Sequence, residues 1–250
     1  GLLTINKFAR ETCTLARQQV TELMEQSISG LLLDLRDNPG GQVDEAACVA
    51  GLFLPKDVIV FQTKYLDPVK FGETYWSEGP ELYTGPMAVL INGGSASAAE
   101  IVAGALKDLN RAVLVGERSF GKGSFQDGTM WRSQSKIALF QTQGFYYFPT
   151  GWTPQIVGLE PDIPARIGEI ETLREEDLYL LPLRPMDLWD GPQSVAWLFQ
   201  SQCLQPSSGH TGMAGGMGGV GVYDEDVQVK TAVDWIRCGD GLAKSANQGI

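Results

Sequence analysis

The 250-residue sequence contains a single histidine, His210, and its four cysteines form no CxxC pair. One imidazole and scattered thiols do not make the four-ligand site that structural zinc requires. A Ser-His-Asp or Cys-His catalytic site needs a histidine held in a rigid frame, and His210 lies in a glycine-rich stretch, residues 209–221. We therefore expect no metal site and no histidine-dependent hydrolase.

Positive charge and long apolar runs are also scarce. The 19 lysine and arginine residues against 30 aspartate and glutamate residues give a formal net charge of −11. This argues against a nucleic-acid partner, because affinity for phosphate chains comes mainly from clustered lysine and arginine. The longest apolar stretches, such as residues 48–55 and 87–91, are far shorter than the roughly 18 residues of a membrane-spanning helix. With 43% hydrophobic residues, the composition is that of a folded globular chain.

Along the first two thirds of the chain, short and nearly continuous apolar runs alternate with stretches of helical periodicity. Such runs, bounded by turn residues, are typical of strands buried on both faces of a parallel sheet. The order strand, glycine turn, helix, strand predicts an α/β fold. Helices are expected at residues 10–26, 44–53 and 96–109, and strands at 30–35, 58–65, 87–92, 112–116 and 136–148.

The last third of the chain has a different pattern. Residues 149–164 are rich in proline and predict a connecting loop, and helical stretches are expected at 172–181, 195–203 and 224–238. Between the last two, residues 209–221 are rich in glycine and include the GxGxxG spacing of dinucleotide sites. No strand precedes this spacing and the segment has low complexity, so we expect a loop there and no cofactor.

Without a usable histidine, a serine can still be activated by a lysine, provided that the amine is neutral and accepts the hydroxyl proton. Ser95 and Ser97 lie where a buried strand turns into a helix, and the first N–H groups of a helix can stabilise an oxyanion. Lys122 lies between two glycines, with no acidic residue nearby before Asp127. Each feature alone also fits a structural role, as a helix cap or a solvated loop lysine.

A third glycine-marked turn, residues 38–41, follows another buried strand. Because α/β sheets gather their sites at the carboxyl ends of the strands, the three turns are expected to converge there.

At this point the sequence resembles a known family. The runs GLLLDLRDNPGG (residues 30–41), VLINGGSASAAEIVAGALKDLNRAVLVGERSFGK (89–122) and GLEPDI (158–163) are similar to the C-terminal processing, or tail-specific, serine peptidases of the S41 type. The resemblance implies a peptidase core at residues 1–165 with the ClpP/crotonase-like ββα superhelix fold. It leaves residues 166–250 as a mostly helical C-terminal extension. It also implies cleavage of proteins or peptides near their C-termini, with no metal and no cofactor.

The resemblance assigns three side chains to catalysis, as the nucleophile, the general base and the residue that orients the base: Ser97, Lys122 and Gln126. It assigns two backbone N–H groups to the oxyanion hole: that of Ala98 and that of Gly41 or Gly40. Ser95 is the nearest competitor as nucleophile and would otherwise be a structural cap. In an extended strand Gln126 would lie about 13 Å from Lys122, so the segment between them is expected to turn or bulge.

Two acidic residues of the same helix need separate interpretations. A carboxylate beside Lys122 would hold the proton on the amine, so we expect Glu100 to bind backbone groups or an arginine. Asp108, at a position that the family implicates, is 11 residues from Ser97 and thus about 16 Å along a straight helix. We expect a structural role for it, in a pair with Arg111.

The resemblance also implies partners that the chain does not include. Family members ordinarily carry a PDZ domain just before the segment that matches residues 2–5, so either that domain lies outside the given sequence or this member lacks it. The resemblance leaves a regulatory PDZ domain or adaptor open as a partner, besides the protein or peptide substrate. Bacterial members usually act outside the cytoplasm, where disulfides persist. Cys203 and Cys238 flank the loosest segment and are the expected pair, with four buried thiols as the alternative. The segments 186–198 and 209–221 are unusual for the family. Two alternatives stay open for them: a packed C-terminal subdomain or the surface of a homo-oligomer.

Two further functions compete with the peptidase. A noncatalytic peptide- or ligand-binding module on the same scaffold would not need the serine, lysine and glutamine that are all present here. A crotonase-like acyl-CoA enzyme would need a basic nucleotide pocket, which nothing in the sequence supplies.

Overall fold

A computed structural model describes residues 1–130, 138–166, 173–178, 185 and 226–246. Nine strands are assigned within these ranges: β1 (Leu2–Thr4), β2 (Leu31–Asp34), β3 (Ile59–Tyr65), β4 (Thr74–Trp76), β5 (Met87–Ile91), β6 (Val113–Gly116), β7 (Ser124–Met130), β8 (Ala138–Tyr147) and β9 (Ile163–Pro164). The helices of the same ranges are α1 (Thr12–Glu25), α2 (Val43–Gly51), α3 (Ala98–Asp108), α4 (Glu175–Leu178) and α5 (Val227–Ala246).

Five strands form a parallel sheet in the order β1-β2-β5-β6-β9. All residues of β2 and β5 are buried. Their side chains alternate between two apolar clusters. Leu31, Leu33 and Val89 belong to the large core, whereas Leu32 and Leu90 belong to a smaller cluster with residues of α5. Because both faces of the sheet are covered, these strands have continuous apolar sequences.

The large core is built from α1, α2 and α3 and is completed by a second, antiparallel sheet in the order β4-β3-β8-β7. Phe61 of β3 and Tyr146 of β8 meet edge to face, with ring centroids 6.2 Å apart. Phe148, which follows β8, is fully buried in the same core. The second sheet therefore packs next to α3, the helix that begins after Ser97.

The predicted α/β class is confirmed, and the helices expected at 10–26, 44–53 and 96–109 are present within a few residues. The strands expected at 30–35, 58–65, 87–92 and 112–116 are also present, and Ala138–Tyr147 lies within the predicted 136–148. The prediction of a loop over 149–164 is wrong at its end, because Ile163 and Pro164 pair with β6. The strands β1 and β4 were not predicted, since three residues carry no periodic signal, and neither was the seven-residue strand β7.

Residues 166–250 are described only in part. Helix α4 lies within the predicted 172–181, and α5 continues beyond the predicted 224–238. The predicted helix at 195–203 and the predicted loop at 209–221 lie outside the described residues. None of the helices in the described ranges is long and apolar enough to cross a bilayer.

A disulfide joins Cys13 of α1 to Cys48 of α2, with the two Cα atoms 5.8 Å apart. The alternative of four buried thiols is therefore wrong for these two cysteines. The predicted pair Cys203 and Cys238 is compatible with this disulfide but lies outside the described side chains. Glu45 of α2 reinforces the link, because its carboxylate accepts the backbone N–H of Glu11 and of Cys13 at the start of α1.

Candidate active site

Ser97 occupies the turn between the buried strand β5 and helix α3 in an unusual backbone conformation. Its φ is 55° and its ψ is −115°, a region that non-glycine residues rarely adopt. Strain of this kind persists only where the surrounding structure imposes it, and it is concentrated at functional sites. A serine on a sharp turn from a strand into a helix has its hydroxyl at the helix N-terminus, as a nucleophile elbow requires.

Ser95 anchors this turn. Its hydroxyl donates to the carbonyl of Leu35 at 2.8 Å and accepts the backbone N–H of Asn92 at 3.0 Å. The side chain is fully buried. Both hydrogen-bonding functions of Ser95 are thus used within the fold, as a structural serine requires.

The glycine turn after β2 lies directly against Ser97. A Cβ atom on Gly40 would be 2.8 Å from Cβ of Ser97 and 2.9 Å from the backbone nitrogen of Ala98. A Cβ atom on Gly41, whose φ is 142°, would overlap the carbonyl of Phe8. Only glycine fits at these two positions, and the close approach brings backbone N–H groups to the start of α3.

The hydrogen bonds of this turn separate the two glycines. The N–H of Gly40 donates to Oδ1 of the buried Asn38 at 2.8 Å. In the described part of the chain, by contrast, the N–H of Gly41 and that of Ala98 have no hydrogen-bond acceptor. Two free donors therefore remain beside Ser97.

Lys122 lies in the loop between β6 and β7 and is partly buried. Its Nζ donates to the hydroxyl of Ser124 at 3.2 Å. No hydrogen bond among the described residues joins this amine to the hydroxyl of Ser97. The side chain of Gln126 is exposed and makes no hydrogen bond to Lys122 within the same residues.

The bulge expected between Lys122 and Gln126 is not in β7 but in the partner strand β8. The register of β7 and β8 shifts between Phe125 and Gln126, where pairing passes from Gly144 to Thr142 and leaves Gln143 of β8 as the extra residue. Strand β7 itself runs without interruption from Ser124.

Glu100 connects the backbones of Ser97 and Lys122. Its fully buried carboxylate accepts the N–H of Ser97 at 2.9 Å and that of Lys122 at 2.8 Å. It also accepts the N–H of Gly121 and the hydroxyl of Ser119. The expectation that Glu100 binds backbone groups is therefore confirmed. Burial outweighs these hydrogen bonds and raises the pKa of Glu100 to about 7.

Tyr146 of β8 makes a second connection between the same two backbones. Its hydroxyl lies 3.0 Å from the carbonyl oxygen of Lys122 and 3.3 Å from that of Ser97, and it donates to this pair. Burial is the main reason that the pKa of Tyr146 lies well above its usual range, so the hydroxyl keeps its proton. Glu100 thus binds the N–H groups of Ser97 and Lys122, and Tyr146 binds the carbonyl groups of the same two residues.

Asp108 has a structural role, but the predicted pair with Arg111 is wrong. Its carboxylate accepts the N–H and hydroxyl of Thr150 and the indole N–H of Trp152. Arg111 instead donates to the carbonyls of Phe53 and Tyr83. Asp108 therefore fixes the turn after β8 from the far end of α3.

Two side chains of the site were missed from the sequence, Ser124 and Tyr146. A signal existed for Ser124, because residues two apart in an extended segment share a side and Ser124 is two residues from Lys122. No signal existed for Tyr146, since its contacts span 24 and 49 residues of chain.

Comparison with known proteins assigns the chain to a class. The model of peptidase family S41 matches residues 1–165, and the chain belongs to this family. The ClpP/crotonase-like fold class expected from the resemblance is confirmed by the structural relatives.

Among individual relatives, the chain is 40% identical over 169 residues to the carboxy-terminal-processing protease of Bartonella bacilliformis, covering 65% of this chain and 38% of that protein. It is 37% identical over 176 residues to the chloroplastic carboxyl-terminal-processing peptidase 3 of Arabidopsis thaliana, covering 70% of this chain and 33% of that protein. The solved structure of a photosystem II D1 C-terminal processing protease is similar with a TM-score of 0.60 and 31% identity, covering 66% of this chain and 42% of that one. The chain thus spans less than half the length of these relatives.

Proposed function

We propose that the chain carries a serine peptidase site in which Ser97 is the nucleophile and Lys122 the general base. The observation that carries this proposal is the strained backbone of Ser97, held between two free N–H donors and linked through Glu100 to the backbone of Lys122. Ser97 is also the N-cap of α3, where it forms a capping box with Glu100, but this role alone does not call for a strained backbone, because N-cap residues ordinarily have an extended conformation. The strained turn is the geometry that a nucleophile needs.

In the proposed reaction the neutral amine of Lys122 takes the hydroxyl proton of Ser97 while Oγ bonds to the carbonyl carbon of the scissile peptide. The N–H groups of Gly41 and Ala98 donate to the resulting oxyanion. The ammonium of Lys122 then gives its proton to the leaving nitrogen, and the C–N bond breaks to leave an ester on Ser97. Water, deprotonated by the same amine, cleaves the ester and restores the serine.

Two details of this assignment follow from the hydrogen bonds of the site, and a third follows from the resemblance. We assign the oxyanion hole to Gly41 rather than Gly40, because the N–H of Gly40 is already bonded to Asn38. Gln126, by resemblance, is the proposed third member, accepting a hydrogen bond from the amine. Ser95 is the structural serine of the turn, since its hydroxyl is bonded on both sides.

The proposed substrates are proteins or peptides cleaved near their C-termini, as the names of the relatives suggest. We also propose a location outside the cytoplasm, which the Cys13–Cys48 disulfide supports because such bonds persist in oxidising compartments. A regulatory PDZ domain or adaptor and a homo-oligomer remain proposals of the same kind.

Incubation of the purified protein with unstructured peptides that end in apolar residues, followed by mass spectrometry, tests the proposal. We expect cleavage by the wild type and none by Ser97→Ala or Lys122→Ala, with unchanged circular dichroism. Lys230→Ala is the matched control, because Lys230 is an exposed lysine of α5, which packs in the smaller apolar cluster on the other face of the parallel sheet from α3. Cleavage by Ser97→Ala at the wild-type rate would overturn the assignment. A noncatalytic binding module predicts peptide binding by all four proteins and cleavage by none.

A further inference from the structure

We propose that Ser124 is a positioning residue for Lys122: its hydroxyl accepts one N–H of the amine and so directs the nitrogen lone pair toward Ser97. The inference rests on the proposed function, because it assigns a further residue to the same reaction. It begins from the hydrogen bond that Nζ of Lys122 donates to Oγ of Ser124 at 3.2 Å.

The backbone that carries the hydroxyl of Ser124 is held in place on several sides. Ser124 begins β7, pairs with Phe145 of β8 and is 5% exposed. The preceding residue, Gly123, donates its N–H to the side chain of Gln155 at 2.8 Å and accepts the N–H of Tyr146 at 2.9 Å. A group fixed in this way can orient a flexible lysine side chain.

The backbone of Lys122 is fixed as well, through Glu100 at its N–H and Tyr146 at its carbonyl. The remaining freedom is in the side-chain torsions and in the rotation of the amine about its last bond. Ser124 is the one group that the amine contacts by a hydrogen bond within the described residues. It therefore determines where the amine points.

The chemistry of a neutral primary amine explains why such a contact is useful. The nitrogen has two N–H donors and one lone pair, and catalysis needs the lone pair directed at the serine hydroxyl. Ser124 accepts one N–H, and the proposed role of Gln126 is to accept the other. Because a hydroxyl is neutral, it orients the amine without the negative charge by which a carboxylate would retain the proton.

Steady-state kinetics of single variants on a peptide that the wild type cleaves test this role. For Ser124→Ala we expect kcat to fall about tenfold or more, a part of what general base catalysis contributes, with KM unchanged within about twofold. The acid limb of the pH–rate profile should move to lower pH, because the ammonium form loses an acceptor. Ser124→Thr keeps the hydroxyl and should restore most of kcat.

Ser77→Ala is the matched control. Ser77 is another buried serine, 1% exposed, and its hydroxyl bonds to the carbonyl of Pro55 and the N–H of Val58, outside the site. It should keep the wild-type kcat and pH profile. If Ser124→Ala does not fold, Ser124→Cys keeps the volume with a weaker acceptor and should show the same loss.

Three results would overturn the inference: wild-type kcat and pH profile in Ser124→Ala or Ser124→Cys, faster cleavage by either variant, or an equal loss in Ser77→Ala. Failure of the proposed function would look different, because Ser97→Ala or Lys122→Ala would then cleave the peptide, or the wild type would not.

Discussion

The carboxylate of Glu100 accepts the backbone N–H of Lys122 at 2.8 Å, from a position one turn into the helix that Ser97 begins. The same carboxylate accepts the N–H of Ser97. The backbones of two residues that are 25 positions apart in the sequence are therefore held in a fixed relative position by one buried side chain. The proposed nucleophile and base owe their proximity to this link and to the hydroxyl of Tyr146.

Replacing Glu100 by glutamine should disturb the relative position of Ser97 and Lys122. One carboxylate oxygen becomes an NH2 group that faces backbone N–H donors, and each unsatisfied buried donor costs about 1–3 kcal/mol. We expect Glu100→Gln to lower kcat about 10- to 100-fold at pH 8, since 1.4 kcal/mol corresponds to a factor of ten. Peptide cleavage kinetics, with circular dichroism to verify the fold, provide the measurement. An unchanged kcat would show that the relative position of Ser97 and Lys122 does not depend on this carboxylate.

Glu100 should also make stability depend on pH. Its pKa rises on folding from its ordinary value of 4.5 to about 7, so between these values the folded state binds more protons than the unfolded state. Its contribution to the free energy of unfolding is therefore present at low pH and is lost as pH rises through this window, by at most about 1.4 kcal/mol per unit.

Denaturant unfolding of the wild type and Glu100→Gln at pH 5, 6, 7 and 8 measures this effect. The difference in unfolding free energy between the two proteins should shift in favour of the variant as pH rises from 5 to 7 and stay level above. A difference independent of pH would contradict the assigned ionisation.

Removal of the Tyr146 hydroxyl should weaken activity without removing the ring from the core. Tyr146→Phe keeps the packing on Phe61 but leaves the carbonyls of Lys122 and Ser97 without their donor. We expect kcat to fall about tenfold, the equivalent of one hydrogen bond of roughly 1 kcal/mol or more. Tyr75→Phe is the control, because Tyr75 stacks on the same Phe61 and its hydroxyl bonds to Glu73 instead. Equal kcat values in the two variants would count against the role of Tyr146.

Lys122→Arg should abolish peptide cleavage although it keeps a long side chain with N–H donors at its end. A guanidinium does not deprotonate at accessible pH and cannot act as the base. The measurement is cleavage from pH 6 to 10, in which wild-type activity should rise with pH as the amine loses its proton. Activity in the arginine variant above that of Ser97→Ala would reject lysine as the base.

Reduction of the disulfide between Cys13 and Cys48 should lower stability. The two cysteines are 35 residues apart, and closing a loop of this length is worth about 3–4 kcal/mol. Urea unfolding with and without a dithiol reductant should show a loss of stability that is larger by this amount for the wild type than for a Cys13→Ala/Cys48→Ala double variant. A wild type insensitive to the reductant, with its thiols shown to be free, would contradict the estimate.

The part of the site that could be predicted consists of residues whose signal is local. Ser97 and Lys122 stand in glycine-marked turns that periodic helices and strands frame, and the conflict between a carboxylate and a catalytic amine was enough to predict that Glu100 binds backbone groups. The pairing of Asp108 was predicted wrongly, since Arg111 is near in sequence whereas its partners, Thr150 and Trp152, follow a strand of the other sheet.

The α/β alternation, the family and the residue types that can perform chemistry without histidine could all be predicted from the sequence, because hydrophobic periodicity and motif spacing are properties of neighbouring residues. Which groups meet depends on the tertiary packing. It is the packing of the antiparallel sheet against α3 that brings Tyr146 to Ser97 and Lys122, and the path of β7 that gives the amine Ser124 as its hydrogen-bond partner. Contacts between residues far apart in the chain depend on how whole elements pack, and no local pattern records that packing.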